Sequence, residues 1–362
     1  MSKLRTAIVG TGGIAGAHVR ADQLNADRVE LVAAVDIDPA RLNAFADEHG
    51  IPERFTDLAT MLAAVRPDIV HICTPPGLHC GQIETVLDAG AWVFCEKPLC
   101  ASLAEFDRIT AAEARSGNYC SSVFQWRYGD GGQHLKRLIA DNALGRPLLA
   151  NVLTVWYRDA AYYAVPWRGK WATELGGVTM GHGIHAMDFL LWLYGDWREV
   201  RAMMGTLDHD IEVEDVSLAQ VRFANGAMAN ITNSVVSPRQ ESYVRFDFEK
   251  ATVEVTHLYR YKNEDWRFTG IDTVPADEVA AWAELPADVV DFHSAQFAAF
   301  LDAYDAGERP PVSGADVRPT LEFLAALYKS AITGQPVLRG SIGPDDPYYT
   351  AMCGPCEQEK QD

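Results

Sequence analysis

Up to residue 125, short apolar runs alternate with stretches in which apolar residues recur at helical spacing. TAIVG (6–10), VELVAAVD (29–36), PDIVHICTP (67–75), AWVFCEKP (91–98) and NYCSSVFQ (118–125) read as strands. Ile14 to Asn25, Pro39 to His49 and His79 to Ala89 read as helices, and Gly50 and Gly90 stand where a helix ends. Such alternation predicts βαβ units and a parallel sheet covered on both faces.

Beyond residue 125 the texture changes. A helix over 133–142 is followed by long strand-like runs at 148–158, 198–205, 215–223, 227–236, 242–248 and 251–259. Asn225-Gly226 between two of them is a strong hairpin signal, because both residues tolerate positive φ. Residues 290–306 and 316–333 have the pattern of amphipathic helices. The expected fold class is α/β: a doubly wound parallel domain over 1–125, then an α+β domain over 126–362 with a large, mostly antiparallel open sheet.

Composition narrows the function. A chain of 362 residues is long enough for about two domains. Its formal charge of −19 excludes a nucleic-acid or anionic-membrane partner, since both require a basic footprint. MSKLRTAIVG contains no long apolar leader segment, and no apolar run is long enough to span a bilayer. The seven cysteines are odd in number and scattered, which suggests reduced thiols and a cytoplasmic protein. Cys353-Gly-Pro-Cys356 has redox or zinc spacing but supplies only half a tetrahedral site.

Three stretches carry chemistry. Gly10-Thr11-Gly12-Gly13-Ile14-Ala15 matches G-x-G-x-x-A between a strand and a helix. Asp36 ends the next strand, where a carboxylate accepts hydrogen bonds from an adenosine ribose. The glycines let backbone approach a pyrophosphate, and Asp36 repels the extra phosphate of NADP, so NAD is the expected cofactor. Glu96-Lys97-Pro98 lies where a strand leaves the sheet at its ligand-binding edge. Third, GGVTMGHGIHAMDFLLWLYG (176–195) sets His182 and His185 three positions apart on one side of a helix. A third metal ligand is not evident there, so no metal is expected, and the neighbouring glycines are read as room for a ligand. Asp188 reads as structural, and Ile184, Met187, Leu191 and Tyr194 as core.

Together with CTPPGLH (73–79), CEKP (95–98), FQWRY (124–128), WRGKW (167–171) and the 308–331 segment, these motifs resemble the glucose–fructose oxidoreductase / inositol dehydrogenase (Gfo/Idh/MocA) family over essentially the whole chain. The resemblance implies a Rossmann domain followed by a domain whose open sheet forms homodimers or homotetramers. It implies hydride exchange between nicotinamide and a secondary alcohol of a sugar, inositol or related polyol. Lys97 and His185 match the catalytic lysine and acid/base histidine. Thr74, Pro75, Pro76, His79 and Glu96 match the segments beside the nicotinamide. A histidine suits proton removal near neutral pH, and a lysine steadies a developing alkoxide. One departure stands out: many members carry an aspartate where this chain has Gly181, so either His182 compensates at the substrate or Lys97 acts as the principal base. Arg127, Tyr157, Trp167, Arg168, Lys170 and Trp171 are further candidates for lining a sugar pocket, whereas Trp156 and Trp192 read as core. Two rival functions stand beside dehydrogenation: glycosidic cleavage through a transient keto intermediate, and a cofactor-sensing regulator without catalysis.

Overall fold

The computed structural model describes residues 3–289 and 291–355. It divides into two compact units. The first runs to Gln125 and includes a returning segment that ends at Arg318; the second comprises Trp126–Val289 and the chain from Pro319 onward.

The first unit holds six parallel strands: β1 (Leu4–Val9), β2 (Val29–Val35), β3 (Glu53–Phe55), β4 (Ile69–Ile72), β5 (Trp92–Cys95) and β6 (Cys120–Ser122). Their order is β3-β2-β1-β4-β5-β6, so the direction of strand addition reverses between β1 and β4. That reversal opens a crevice at the carboxyl ends of these strands, the ligand position of doubly wound sheets. The strands are almost wholly apolar because both faces are covered; Ile8, Ala34, Val70 and Val93 have no exposure. The helix Pro39–His49 starts at Asp38, whose carboxylate accepts the Ala40 and Arg41 N–H groups, and stops at Gly50 with φ +67°.

One difference from the sequence reading concerns the helix Phe292–Ala306, expected with the second domain. Phe297, Phe300 and Leu301 are buried against Ile69, Trp92 and Phe94 of the first unit. Apolar periodicity shows that a helix has a face to bury, not which sheet receives it.

The second unit carries β7 (Pro147–Val155), β8 (Trp197–Gly205), β9 (Val216–Phe223), β10 (Met228–Ser234), β11 (Glu241–Phe248), β12 (Ala251–His257), β13 (Trp266–Gly270) and β14 (Val337–Leu338). The order is β13-β12-β11-β7-β10-β9-β8-β14, with only β7–β10 parallel. The Asn225-Gly226 hairpin joins β9 to β10, with Gly226 at φ +91°. Burial alternates along β9 and β11, as a sheet with one covered face requires. The helix Ile184–Tyr194 belongs to this unit and is tied to the sheet by Tyr194, whose hydroxyl donates to the Leu149 carbonyl at 2.9 Å.

Cys73, Cys80, Cys95, Cys100 and Cys120 are buried thiols. Cys353 is disulfide-bonded, contrary to the expectation of reduced cysteines throughout; Cys356 lies outside the described residues. Among the described residues no helix is long and apolar enough to cross a membrane.

Candidate active site

In the first unit, β1 runs into Gly10, whose N–H donates to the Val35 carbonyl at 2.8 Å. Gly10 has φ +88°, and a Cβ there would lie 2.9 Å from the Cys73 backbone, so only glycine fits this turn. A Cβ on Gly12 or Gly13 would meet nothing within 4 Å. The following helix, Ala15–Leu24, starts at Ile14 without a side-chain cap, so its first N–H groups are not consumed by a capping oxygen. Ala15 is buried and Ile14 is 40% exposed. Unfilled space beside an uncapped helix start fits a dinucleotide pyrophosphate.

Asp36 directly follows β2 as the centre of a dense hydrogen-bond set. It accepts the Thr11 N–H (2.9 Å) and hydroxyl (2.8 Å), the Asp38 N–H (2.9 Å), and Arg41 Nε and Nη2 (3.0 and 2.6 Å). Burial works against its charge, but the bonds from Arg41, Asp38 and Thr11 prevail and lower its pKa to about 2. A carboxylate is therefore present at neutral pH. Arg41 was not foreseen; its signal is the five-residue spacing that brings the first turn of a helix back over the strand end.

The segment after β4 carries Thr74, Pro75, Pro76 and His79. Thr74 donates to Gln82 Oε1 at 2.6 Å. Fully buried His79 sits with Nδ1 2.8 Å from the Pro98 carbonyl and Nε2 2.9 Å from the Thr74 carbonyl. A neutral ring carries one N–H, so His79 donates to one of these two carbonyls while lying between the loops of Thr74 and Pro98. Glu96 is buried and accepts the Lys97 N–H at 3.1 Å; Lys97 is half-buried, and the Lys97–Pro98 peptide is cis.

In the second unit, a π-helical turn over Thr179–Gly183 leads into the helix Ile184–Tyr194. Such widened turns concentrate at functional sites. Buried Glu214 pins its approach, accepting the Gly177 N–H at 3.0 Å, the Thr179 N–H at 2.9 Å and the Tyr328 hydroxyl at 3.0 Å. His182 falls within the π turn and His185 on the first helical turn, both buried. His185 stacks on Trp126 (5.8 Å, 21°) and tilts against Trp156 (6.2 Å). His182 meets Trp156 edge-on at 5.4 Å, and its Nε2 lies 3.4 Å from the Tyr162 hydroxyl. Trp156 is buried, as expected of a core residue, and also borders both imidazoles while bonding Ser242 through its indole N–H at 2.9 Å.

Two expectations need correction. Of the glycines near His182, Gly181 leaves room for a Cβ, but Gly177 and Gly183 do not: a Cβ at the first would run into the Glu214 backbone, and one at the second into the Asn233 side chain. Those two are glycines because neighbouring chain packs tightly there. Arg127 was expected to face substrate, but it is 4% exposed and grips Asp188 with Nε at 2.8 Å and Nη2 at 2.6 Å, while Thr320 donates to the same carboxylate at 2.9 Å. Among the other candidates, Tyr157 and Lys170 are exposed and Trp167, Arg168 and Trp171 half-buried. Arg168 stacks over the Tyr162 and Trp167 rings at 3.8 and 4.3 Å and pairs with buried Glu174 at 3.2 Å. Glu174 Oε1 would lie 3.9 Å from a Cβ at Gly181, so a carboxylate borders the position that lacks one in the sequence motif.

A glycine turn at a strand-order reversal, with an ionised carboxylate after the second strand, is the arrangement of a dinucleotide-binding fold. Residues 4–124 match the oxidoreductase family with an NAD-binding Rossmann fold, and residues 133–254 match the GFO/IDH/MocA C-terminal domain. The chain belongs to the GFO/IDH/MocA family. It is 30% identical to the WlbA dehydrogenase of Bordetella pertussis, a structure in complex with NADH and UDP-GlcNAcA; the match covers 93% of this chain and 99% of that one, with a TM-score of 0.81. It is 27% identical to D-apiose dehydrogenase of Paraburkholderia graminis over 97% of this chain and 94% of the relative. It is 26% identical to an NADP-dependent D-xylose 1-dehydrogenase of Haloferax volcanii over 91% and 98%.

Proposed function

We propose that this chain is an NAD-dependent dehydrogenase of a secondary alcohol on a sugar, inositol or related polyol. The nicotinamide supplies the hydride chemistry when bound. Gly10, Gly12, Gly13, Ile14 and Ala15 receive the pyrophosphate, and Asp36 takes the adenosine ribose. NAD is favoured over NADP because Asp36 is ionised there. Lys97 stabilises negative charge on the reacting oxygen, and His185 takes up or returns its proton. Trp126 and Trp156 hold the imidazole plane, while His182, Tyr162 and Arg168 contact sugar hydroxyls.

The observation that carries this reading is the indole-flanked histidine pair in a chain that also carries the dinucleotide turn and belongs to a family of oxidoreductases. A panel of sugars and inositols incubated with NAD, followed by NADH absorbance, tests it. At least one should yield net NADH. Glycoside cleavage without net NADH would support the rival cleavage reaction instead.

A second copy of the chain is the proposed partner. The open face of the second unit's sheet aligns Met203, Leu218, Thr232, Leu153 and Tyr243 across paired strands, with Met203 73% exposed and Leu218 46%. Such an apolar row suits a homodimer or homotetramer interface.

A further inference from the structure

A chain of ionisable groups runs through the interior of the first unit. Thr6 of β1 donates to Asp22 Oδ2 at 2.6 Å. Asp22 Oδ1 lies 3.0 Å from His71 Nε2; His71 Nδ1 lies 3.0 Å from His18 Nδ1; His18 Nε2 lies 3.1 Å from Glu96 Oε1. His293 Nε2 approaches the same Glu96 oxygen at 3.5 Å, and Glu96 Oε2 accepts the Lys97 N–H. His18 and His71 have no exposure, Asp22 has 4% and Glu96 6%. Phe94 and Phe297 wall the chain in, with Phe297 4.8 Å from the His71 ring and Phe94 5.5 Å from His18. Cys73, His79 and Cys95 are further titratable groups on which Glu96 acts.

The protons do not add up. Three contacts lie between the two carboxylates: Asp22 to His71, His71 to His18, and His18 to Glu96. Each needs one hydrogen. Two neutral imidazoles bring one N–H apiece, and ionised carboxylates bring none. If His71 donates to Asp22 and His18 donates to His71, then the His18 Nε2 lone pair faces a carboxylate oxygen at 3.1 Å. Reversing both tautomers moves the same conflict to Asp22. Two buried acceptors facing each other without a hydrogen are strongly unfavourable.

We propose that Asp22, His71, His18 and Glu96 share one proton beyond those of two neutral imidazoles and two ionised carboxylates, and that this bonded chain holds Glu96 on the Lys97 backbone. Burial disfavours a separate imidazolium at His18, pushing its pKa down to about 4 against the Glu96 hydrogen bond, so the proton belongs to the chain rather than to one ring. The groups are positioning residues for the Glu96-Lys97 turn. The proposal concerns the protein without substrate and stands whether or not a sugar is turned over.

Asp22→Asn tests it. The asparagine carbonyl still accepts from Thr6, while its amide N–H donates to His71; His71 then donates to His18 and His18 to Glu96. All three contacts are filled without the extra proton. The substitution removes one negative charge and one proton together, leaving net charge unchanged. In native electrophoresis near pH 8, Asp22→Asn should migrate with the parent, whereas the exposed control Asp27→Asn should shift by one charge. A shift of Asp22→Asn equal to that of the control would overturn the proposal. Nitrogen NMR of the unmodified protein gives a second reading that does not depend on the variant folding. Carboxyl-carbon NMR completes the count: either His18 and His71 depart from ordinary neutral tautomers or one of Asp22 and Glu96 reads as protonated, and two ordinary neutral rings beside two ionised carboxylates would overturn the shared proton. His18, Glu96 and His293 also bring ligand-type atoms within 4.8 Å of one another. One bound zinc per chain, lost in His293→Ala, would put a metal where the proton is placed and would equally overturn it.

Discussion

The buried histidines of the two units live in opposite surroundings. In the first unit His18, His71 and His79 spend both ring edges on carboxylates, carbonyls or each other. In the second unit His182 and His185 lie under the rings of Trp126, Trp156 and Tyr162. Polar edges committed to the fold make a histidine a strut, because releasing either bond leaves a buried group unsatisfied. Aromatic faces fix a ring plane by packing, a constraint compatible with a change of protonation at the ring edge. Burial and residue type are the same in both units; under the proposed function, the aromatic setting of His182 and His185 is the one that serves chemistry.

That contrast is broken most directly at His185. Replacement by alanine should lower turnover of the sugar identified in the NADH assay by about 10²–10⁴-fold, while NADH binding measured by fluorescence changes little. Turnover within a few-fold of the parent would mean that the ring serves only packing. Lys97→Ala should show the same separation between lost turnover and retained binding.

Arg127 sharpens the comparison from the side of structure. With its guanidinium on Asp188, Arg127→Ala leaves a carboxylate that is 1% exposed without its cation. Removing one partner of a buried pair costs about 3–5 kcal/mol, to be read as a lower urea midpoint. A stable variant with only a raised KM would return Arg127 to the substrate.

Much of this was legible in the chain. Strands buried on both faces show as unbroken apolar runs, half-covered strands as alternation, and the Asn225-Gly226 turn announces itself through its backbone requirement. Asp36 was singled out as a carboxylate at a strand end, and the fold gives it structural partners in Thr11, Asp38 and Arg41. Arg41 was not singled out, since an arginine in a helix is usually solvated and only the folded turn brings it onto Asp36. Arg127 was misplaced for the same reason: its partner Asp188 lies 61 residues on, at a spacing no local pattern encodes. Glycines near the histidines were read as space, although a missing side chain equally marks a neighbour pressed close, as Glu214 is at Gly177. β3, β13 and β14 were not predicted: β3 and β14 are too short to show a period of their own, and β13 lies outside every strand-like run, whereas three-residue β6 was found through the longer run around it.

His257 yields the smallest effect and the finest test, since it is a second-unit histidine without a polar tie. It ends β12 with its ring 4.6 Å from Trp126 and 5.5 Å from Tyr261, and neither nitrogen has a hydrogen-bond partner among the described residues. Burial alone lowers its pKa to about 3. Phenylalanine matches the ring and removes two desolvated nitrogens, so His257→Phe should gain about 1–2 kcal/mol at neutral pH. The gain should grow in acid. The folded ring stays neutral down to about pH 3, whereas the unfolded ring takes up a proton below about 6.5, so acidification favours unfolding of the parent by about tenfold per pH unit across that window. The variant lacks this contribution, and its urea midpoint should separate further from the parent's as pH falls from 6.5 toward 4. Parallel midpoints over that range would show that the folded protein accepts a proton at this ring, and that aromatic walls alone do not keep a histidine neutral here.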